Sequence, residues 1–181
     1  MSRILPVDPK QTDTTTARTL DAVKGKLGML PNLFTTLARS PMALNAYLQL
    51  SEIVTGGRLN GQQRELIAIA VAQENTCEYC LSAHAAIGKG LGLEENNIEL
   101  ARRGSATDLI DDAIVAFSLS VVRSHGGVSD DALNAVRNEI SDDGIIIEIV
   151  TNVVLNIMSN YVNRVAGTEV DFPSVNLGMT A

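Results

Sequence analysis

Residues 59–92 read LNGQQRELIAIAVAQENTCEYCLSAHAAIGKGLG, and this stretch decides the fold class. Asn60 and Gln63 stand three apart before an apolar run. That is an amide version of the capping box, in which the two side chains satisfy each other's backbone N–H groups and open a helix. The pattern predicts a helix over Gly61–Glu74. A second helix is expected to follow Cys77 and to end among Gly88, Gly90 and Gly92, read as C-terminal punctuation rather than a phosphate loop because they follow a helix instead of opening one. The two make a helical hairpin.

Outward from the hairpin the period stays helical. Residues 94–103 predict one more helix. Leu109, Ile110, Ala113, Ile114, Phe117, Val121 and Val122 share a face, and their helix stops at Gly126-Gly127 with His125 as its end residue. Ser129 caps a short helix running to about Ile140. Ile145, Ile146, Ile149, Val150, Val153, Val154, Ile157, Met158, Tyr161 and Val162 then recur in pairs every four residues, the broad apolar face of a long helix that Ser141, Asp142 or Asp143 can cap. Its β-branched residues would suit a strand, but period four is not strand alternation. On another face Asn152, Asn156, Asn160 and Asn163 form a polar stripe, read first as a solvated or subunit-facing edge, with a pocket lining as the alternative. Upstream, Thr14–Leu27 predicts an amphipathic helix ending near Gly28, while Leu30-Pro31-Asn32 and Ser40-Pro41 punctuate two more, the second running to Gly56-Gly57. Nothing reads as a strand. The expected fold is all-α, one domain over residues 1–181 with its active core at 59–92.

The composition removes rivals. Of 181 residues 45% are hydrophobic and 19% charged, too apolar for intrinsic disorder. A chain of this length buries about 70% of its unfolded surface, so folding needs no disulfide framework or structural metal. With 14 Lys+Arg against 21 Asp+Glu, the net charge of −7 argues against a nucleic-acid partner, and three Phe, three Tyr and no Trp leave no stacking platform for bases. The apolar runs 66–72 and 145–158 are short or carry Glu148, Thr151, Asn152 and Asn156, so neither is expected to cross a bilayer, which takes about 20 apolar residues. No targeting signal is read at the start, and a cytoplasmic protein without membrane contact is expected. Lys24, Lys26, Arg102 and Arg103 are read as solvated.

Both cysteines of the chain fall in one motif. Cys77-Glu78-Tyr79-Cys80 is a C-x-x-C, and His84 lies four residues beyond Cys80. Positions three, four and seven apart share a helix face. Thiols at a helix N-terminus sit among unpaired N–H groups at the positive end of the dipole, which favours the thiolate. His84, one turn deeper, can move a proton. Glu65 lies on the preceding helix, and a hairpin can fold its carboxylate back onto the Cys–His face as the partner that polarises His84. The bland alternative is two inert buried thiols and a hydrogen-bonded core histidine. Zinc is the sharper rival, with Cys77, Cys80, His84 and Glu65 as four ligands, but structural zinc sites draw on two separated ligand pairs and no second pair exists. Haem attachment fails because Leu81 follows Cys80, and a thioredoxin-type site needs β-α-β surroundings.

The spacing Glu65-x11-Cys77-x2-Cys80-x3-His84 resembles the active-site signature of the alkylhydroperoxidase D-like proteins, within the carboxymuconolactone decarboxylase superfamily. The likeness is densest over 59–92, with looser agreement in LPNLFTTLARSPMAL before it and in VSDDALNAV and the 145–163 helix after it. It implies an all-helical homo-oligomer, commonly a trimer or hexamer, and a peroxidase without haem, metal or other cofactor. Cys80 matches the peroxidatic cysteine that attacks a peroxide substrate, and Cys77 the resolving cysteine whose disulfide a dithiol or disulfide-reductase donor reduces. His84 and Glu65 match the proton relay. Where the best-known members carry a second histidine directly before the peroxidatic cysteine, this chain has Tyr79. Two further readings are a non-catalytic redox-sensing oligomeric module and a lactone decarboxylase-like enzyme of aromatic degradation; the Cys pair, on which that decarboxylation does not depend, argues against the latter.

Overall fold

The computed structural model describes residues 2–178. After a single 3-10 turn at Pro9–Gln11, nine helices follow among the described residues: α1 (Thr14–Leu27), α2 (Asn32–Leu37), α3 (Pro41–Thr55), α4 (Gly61–Glu74), α5 (Glu78–Gly90), α6 (Glu95–Arg103), α7 (Leu109–Ser124), α8 (Asp130–Glu139) and α9 (Asp143–Ala166). None of these residues forms a strand, so the all-α expectation holds. The caps explain the boundaries. Gln63 N donates to Asn60 Oδ1 at 2.9 Å and Asn60 N to Gln63 Oε1 at 3.1 Å, closing the box that opens α4. Asp13, Ser129 and Asp142 accept first-turn N–H groups of α1, α8 and α9. Gly28 ends α1 with φ +76°, a left-handed conformation that costs glycine nothing.

Helix α4 is the axle. Its residues 66–72 are all buried, apolar around the whole circumference, as a helix enclosed on every side must be. It packs on α5, α6, α7 and α9. Leu66, Ile69 and Ala70 join a core with Leu33, Leu81, Ile98 and both cysteines, while Ile67 and Val71 join a second with Phe117, Val136, Ile146 and Ile149. Each large aliphatic side chain so buried stabilises the fold by about 1.5–3 kcal/mol.

Helix α9 holds the expected pattern from Ile145 to Val162, and with 24 residues and a mean hydropathy of 1.6 it is long and apolar enough to cross a membrane by length and composition. In this fold it packs instead against α2, α3, α4, α5 and α7. Its asparagine stripe is not a solvated edge: Asn152, Asn156, Asn160 and Asn163 are all buried. Arg102 is likewise not solvated. Its buried guanidinium bonds Glu99, Gln73 and the Asn176 carbonyl, tying α6 to α4 and to the segment after α9.

That segment runs back over the start of α5. Val175 N donates to Ser82 Oγ at 2.9 Å, Ser174 Oγ to Glu78 Oε1 at 3.2 Å, and Phe172 meets Tyr79 edge-to-face at 5.9 Å.

Candidate active site

The site begins with the turn between α4 and α5. Cys77 N donates to Ala72 O at 2.9 Å and Thr76 N to Gln73 O at 3.1 Å, the paired bonds of a Schellman ending. The left-handed position that this ending requires is filled by Thr76, φ +51°. A β-branched residue there stores about 1–3 kcal/mol of strain. The turn delivers Cys77 to the N-cap of α5, where its Sγ accepts from Cys80 N at 3.3 Å. Cys80 therefore sits within the first turn, among the N–H groups that no helical carbonyl satisfies. Cys77 and Cys80 are joined in a disulfide, and both are at most 2% exposed.

One turn further along α5, His84 Nδ1 lies 2.8 Å from Glu65 Oε2 across the hairpin. The structure thus brings Glu65 to His84 as the sequence expected. With the carboxylate ionised, Nδ1 carries the proton and Nε2 keeps a free lone pair. Gly88, one turn beyond His84, leaves room for Leu93 of the following turn: a Cβ would stand 2.9 Å from Leu93 Cδ1, whereas its 3.7 Å to Glu65 Cβ across the hairpin would be ordinary contact. The side chains of His84 and Glu65, 18% and 14% exposed, are the part of the site that solvent reaches. Among the described residues no hydrogen bond joins His84 to either sulfur, consistent with two sulfurs bonded to each other.

Sequence reasoning did not place two neighbours in the site. Asn163 of α9 donates from Nδ2 to Cys80 Sγ at 3.3 Å, wholly buried. Tyr47 of α3 keeps its proton, its hydroxyl pushed up to about 12 by burial and then by the charge of Glu65. Neither belongs to a local motif, and only the packing of α3 and α9 brings them in. Tyr79 packs at the start of α5: its hydroxyl accepts from Leu33 N at 3.1 Å, and burial pushes its ionisation far upward.

Those two tyrosines set an alkaline limit. A tyrosine whose folded pKa is raised contributes stability that is full below the unfolded value, about 10, and is lost as pH climbs toward the folded value. The melting temperature of the wild type should fall from pH 10 upward. Tyr79→Phe should melt lower at pH 8, because the Leu33 amide loses its acceptor at a cost of about 1–3 kcal/mol, but its melting temperature should decline less steeply between pH 9 and 11. Parallel slopes by scanning calorimetry would remove Tyr79 from the alkaline transition.

The two cavities described, of about 270 and 290 Å³, lie elsewhere: the first is bounded by Arg58, Gln63, Ile110 and Asp142, the second by Leu109, Phe117, Ala132 and Val136. Neither is lined by Glu65, Cys77, Cys80 or His84.

The sequence model of the carboxymuconolactone decarboxylase family matches residues 41–123, a span that includes all four residues. None of the curated proteins matches the chain. Among solved structures, the chain is similar to an uncharacterized peroxidase-related protein from Ralstonia eutropha JMP134, described as an alkylhydroperoxidase AhpD core, with 23% identity, coverage of 94% of this chain and 92% of that one, and a TM-score of 0.84. A peroxidase-related protein from Silicibacter sp. TM1040 matches at 23% identity, 92% of each chain and a TM-score of 0.79. The debrominase Bmp8, in complex with 2,3,4-tribromopyrrole, matches at 15% identity, 94% and 92% coverage and a TM-score of 0.80.

Proposed function

We propose that the chain is an alkylhydroperoxidase D-like protein of the carboxymuconolactone decarboxylase superfamily, a reading that the family model over residues 41–123 and the shared fold support, and that it reduces hydroperoxides through its Cys77–Cys80 couple. The observation that carries this reading is the disulfide at the start of α5 with the Glu65–His84 hydrogen bond one turn along the same hairpin. In the reduced protein the Cys80 thiolate attacks the terminal oxygen of ROOH. The O–O bond breaks, the alkoxide leaves as ROH with a proton delivered by His84, and Cys80 becomes a sulfenic acid. Cys77 thiolate then attacks that sulfur, hydroxide leaves as water, and the disulfide forms. A dithiol donor or disulfide reductase of the cytoplasm returns two electrons and two protons through a mixed disulfide. The sum is ROOH plus a dithiol giving ROH, water and the donor's disulfide.

His84 is the group that takes the Cys80 proton and gives it to the alkoxide, with Glu65 holding the tautomer. No metal or cofactor takes part. Assembly into a trimer or hexamer is part of the proposal, and the exposed apolar residues Ile147, Val154, Tyr161 and Val165 along α9 support it.

The test is stoichiometric. Reduced protein mixed with cumene hydroperoxide should lose two thiols per peroxide consumed and cycle when a dithiol is added. Persistence of both thiols, while a known thiol peroxidase is consumed beside it, sinks the reading. A disulfide that alters assembly size without repeated turnover would identify the redox-sensing module instead. Activity on a lactone that survives alkylation of both cysteines would identify the decarboxylase-like alternative. The likeness to Bmp8 makes a brominated pyrrole the second oxidant to offer.

A further inference from the structure

The buried amide of Asn163 has one arm engaged and one arm empty. Nδ2 donates to Cys80 Sγ at 3.3 Å, while Oδ1, also buried, has no hydrogen-bond partner among the described residues. A carbonyl oxygen buried without a partner is costly, and most such groups in folded proteins are satisfied. Asn160 Nδ2 is also buried without a partner among the described residues, but the other amides of the stripe make no bond to sulfur. Asn152 and Asn156 donate back to carbonyls one turn earlier in α9, and Asn160 Oδ1 accepts from Asn75 Nδ2. Asn163 alone in the stripe is directed at sulfur.

In the oxidised pair Cys80 offers that arm no donor. A disulfide sulfur has no proton to give, so Oδ1 has nothing to accept from Cys80 in this state. A thiol carries S–H and a sulfenic acid carries S–O–H, and either supplies the missing donor. A thiolate, conversely, is a far stronger acceptor for Nδ2 than a disulfide sulfur, because hydrogen bonds to an ionised acceptor are about twice as strong as those between neutral groups. We propose that the Asn163 amide serves the reactive Cys80 sulfur through the redox cycle, donating from Nδ2 to the thiolate and accepting at Oδ1 the proton of the thiol or sulfenic acid. The amide is therefore best satisfied in the reduced states and least satisfied in the disulfide. It biases the couple toward reduction, so the protein is readily recharged by a dithiol.

The inference rests on Cys80 being the reactive thiol, but its test uses no peroxide. In a Cys77→Ser background only Cys80 can be alkylated, and the introduced hydroxyl keeps the N-cap of α5. In that background the titratable groups of the hairpin nearest Cys80 in the chain are Glu78, Tyr79 and His84 of α5 and Glu65 of α4, with Tyr47 of α3 acting on Glu65; Tyr47 and Tyr79 stay protonated, and all five are common to every variant compared. Asn163→Leu removes both donor and acceptor at similar volume, and Asn163→Asp removes the donor while keeping the shape. Both should shift the pH profile of iodoacetamide alkylation about one unit upward, so that Cys80 reacts about tenfold more slowly at pH 7. With both cysteines present, Asn163→Leu should move the equilibrium with a glutathione redox buffer about tenfold toward the disulfide, close to 30 mV.

A merely structural Asn163 would lower the melting temperature and leave both the alkylation profile and the redox midpoint in place; that result overturns the proposal. If Asn163→Leu does not fold, the alkylation profile of Asn163→Asp decides alone. The two readings also fail separately. Peroxide left unconsumed by a wild type whose Cys80 profile depends on Asn163 refutes the peroxidase and not the amide. Peroxide consumed, with unchanged profiles in the Asn163 variants, refutes the amide and not the peroxidase.

Discussion

Cys80→Ser should consume no hydroperoxide, a loss to the level of the protein-free control, whereas Cys77→Ser should consume one equivalent and stop. The difference follows from position. His84 stands four residues after Cys80 and seven after Cys77, so the proton relay meets Cys80 first along the helix face. Cys80 also receives the Asn163 amide, while the Cys77 sulfur is occupied as N-cap, accepting from Cys80 N. Without Cys77 the first half-reaction still runs: the O–O bond breaks and the sulfenic acid remains, because no second thiol exists in the chain to displace hydroxide. Mass spectrometry after dimedone trapping should find the adduct on Cys80 of Cys77→Ser and none in Cys80→Ser. A serine in place of Cys77 is a good N-cap, so the variant should fold. If Cys80→Ser instead yields a dimedone adduct on Cys77, the two roles are exchanged and the relay must act over two turns.

How much of this was readable beforehand depended on how local the physics was. Helix ends were legible because their causes lie within four residues: Asn60 with Gln63, Ser129 before α8, Gly28 after α1. The pairing of Glu65 with His84 was legible for a related reason, since a short turn between two helices leaves few ways to lay one on the other. The stripe on α9 was not. Asparagine is mostly exposed in proteins, and nothing within the helix says that α5 and Asn75 will cover that face. Arg102 misled in the same way, its partners Gln73 and Asn176 lying on distant parts of the chain. Thr76 runs against a local rule, since glycine is the ordinary occupant of the left-handed position it holds. There the sequence pattern broke immediately before the candidate site, where strain in folded proteins tends to gather.

The relay makes the second large prediction. Glu65→Gln and His84→Asn should each lower the rate of Cys80 oxidation by about 10²–10³-fold at neutral pH, the usual range for a positioned acid–base group. The two losses should not multiply. Among the described residues Glu65 makes no hydrogen bond to either sulfur, and on the proposed mechanism it acts by fixing Nδ1–H of His84 at 2.8 Å, leaving Nε2 to exchange the proton. Once His84 is gone, the carboxylate has nothing to orient, so the Glu65→Gln, His84→Asn double variant should be no slower than the slower single one; residues that act as a unit are strongly non-additive. Independent action would give about 10⁴–10⁶-fold instead, too far from the single values to mistake. Stopped-flow measurement of sulfenate formation in the Cys77→Ser background isolates this step from disulfide closure and from the reductant. Multiplying losses would mean that Glu65 works on the substrate rather than on the histidine. Single losses below threefold would remove the Glu65–His84 pair from the chemistry and leave it a strut between α4 and α5, with the start of α5 and the Asn163 amide as the groups that activate the thiol.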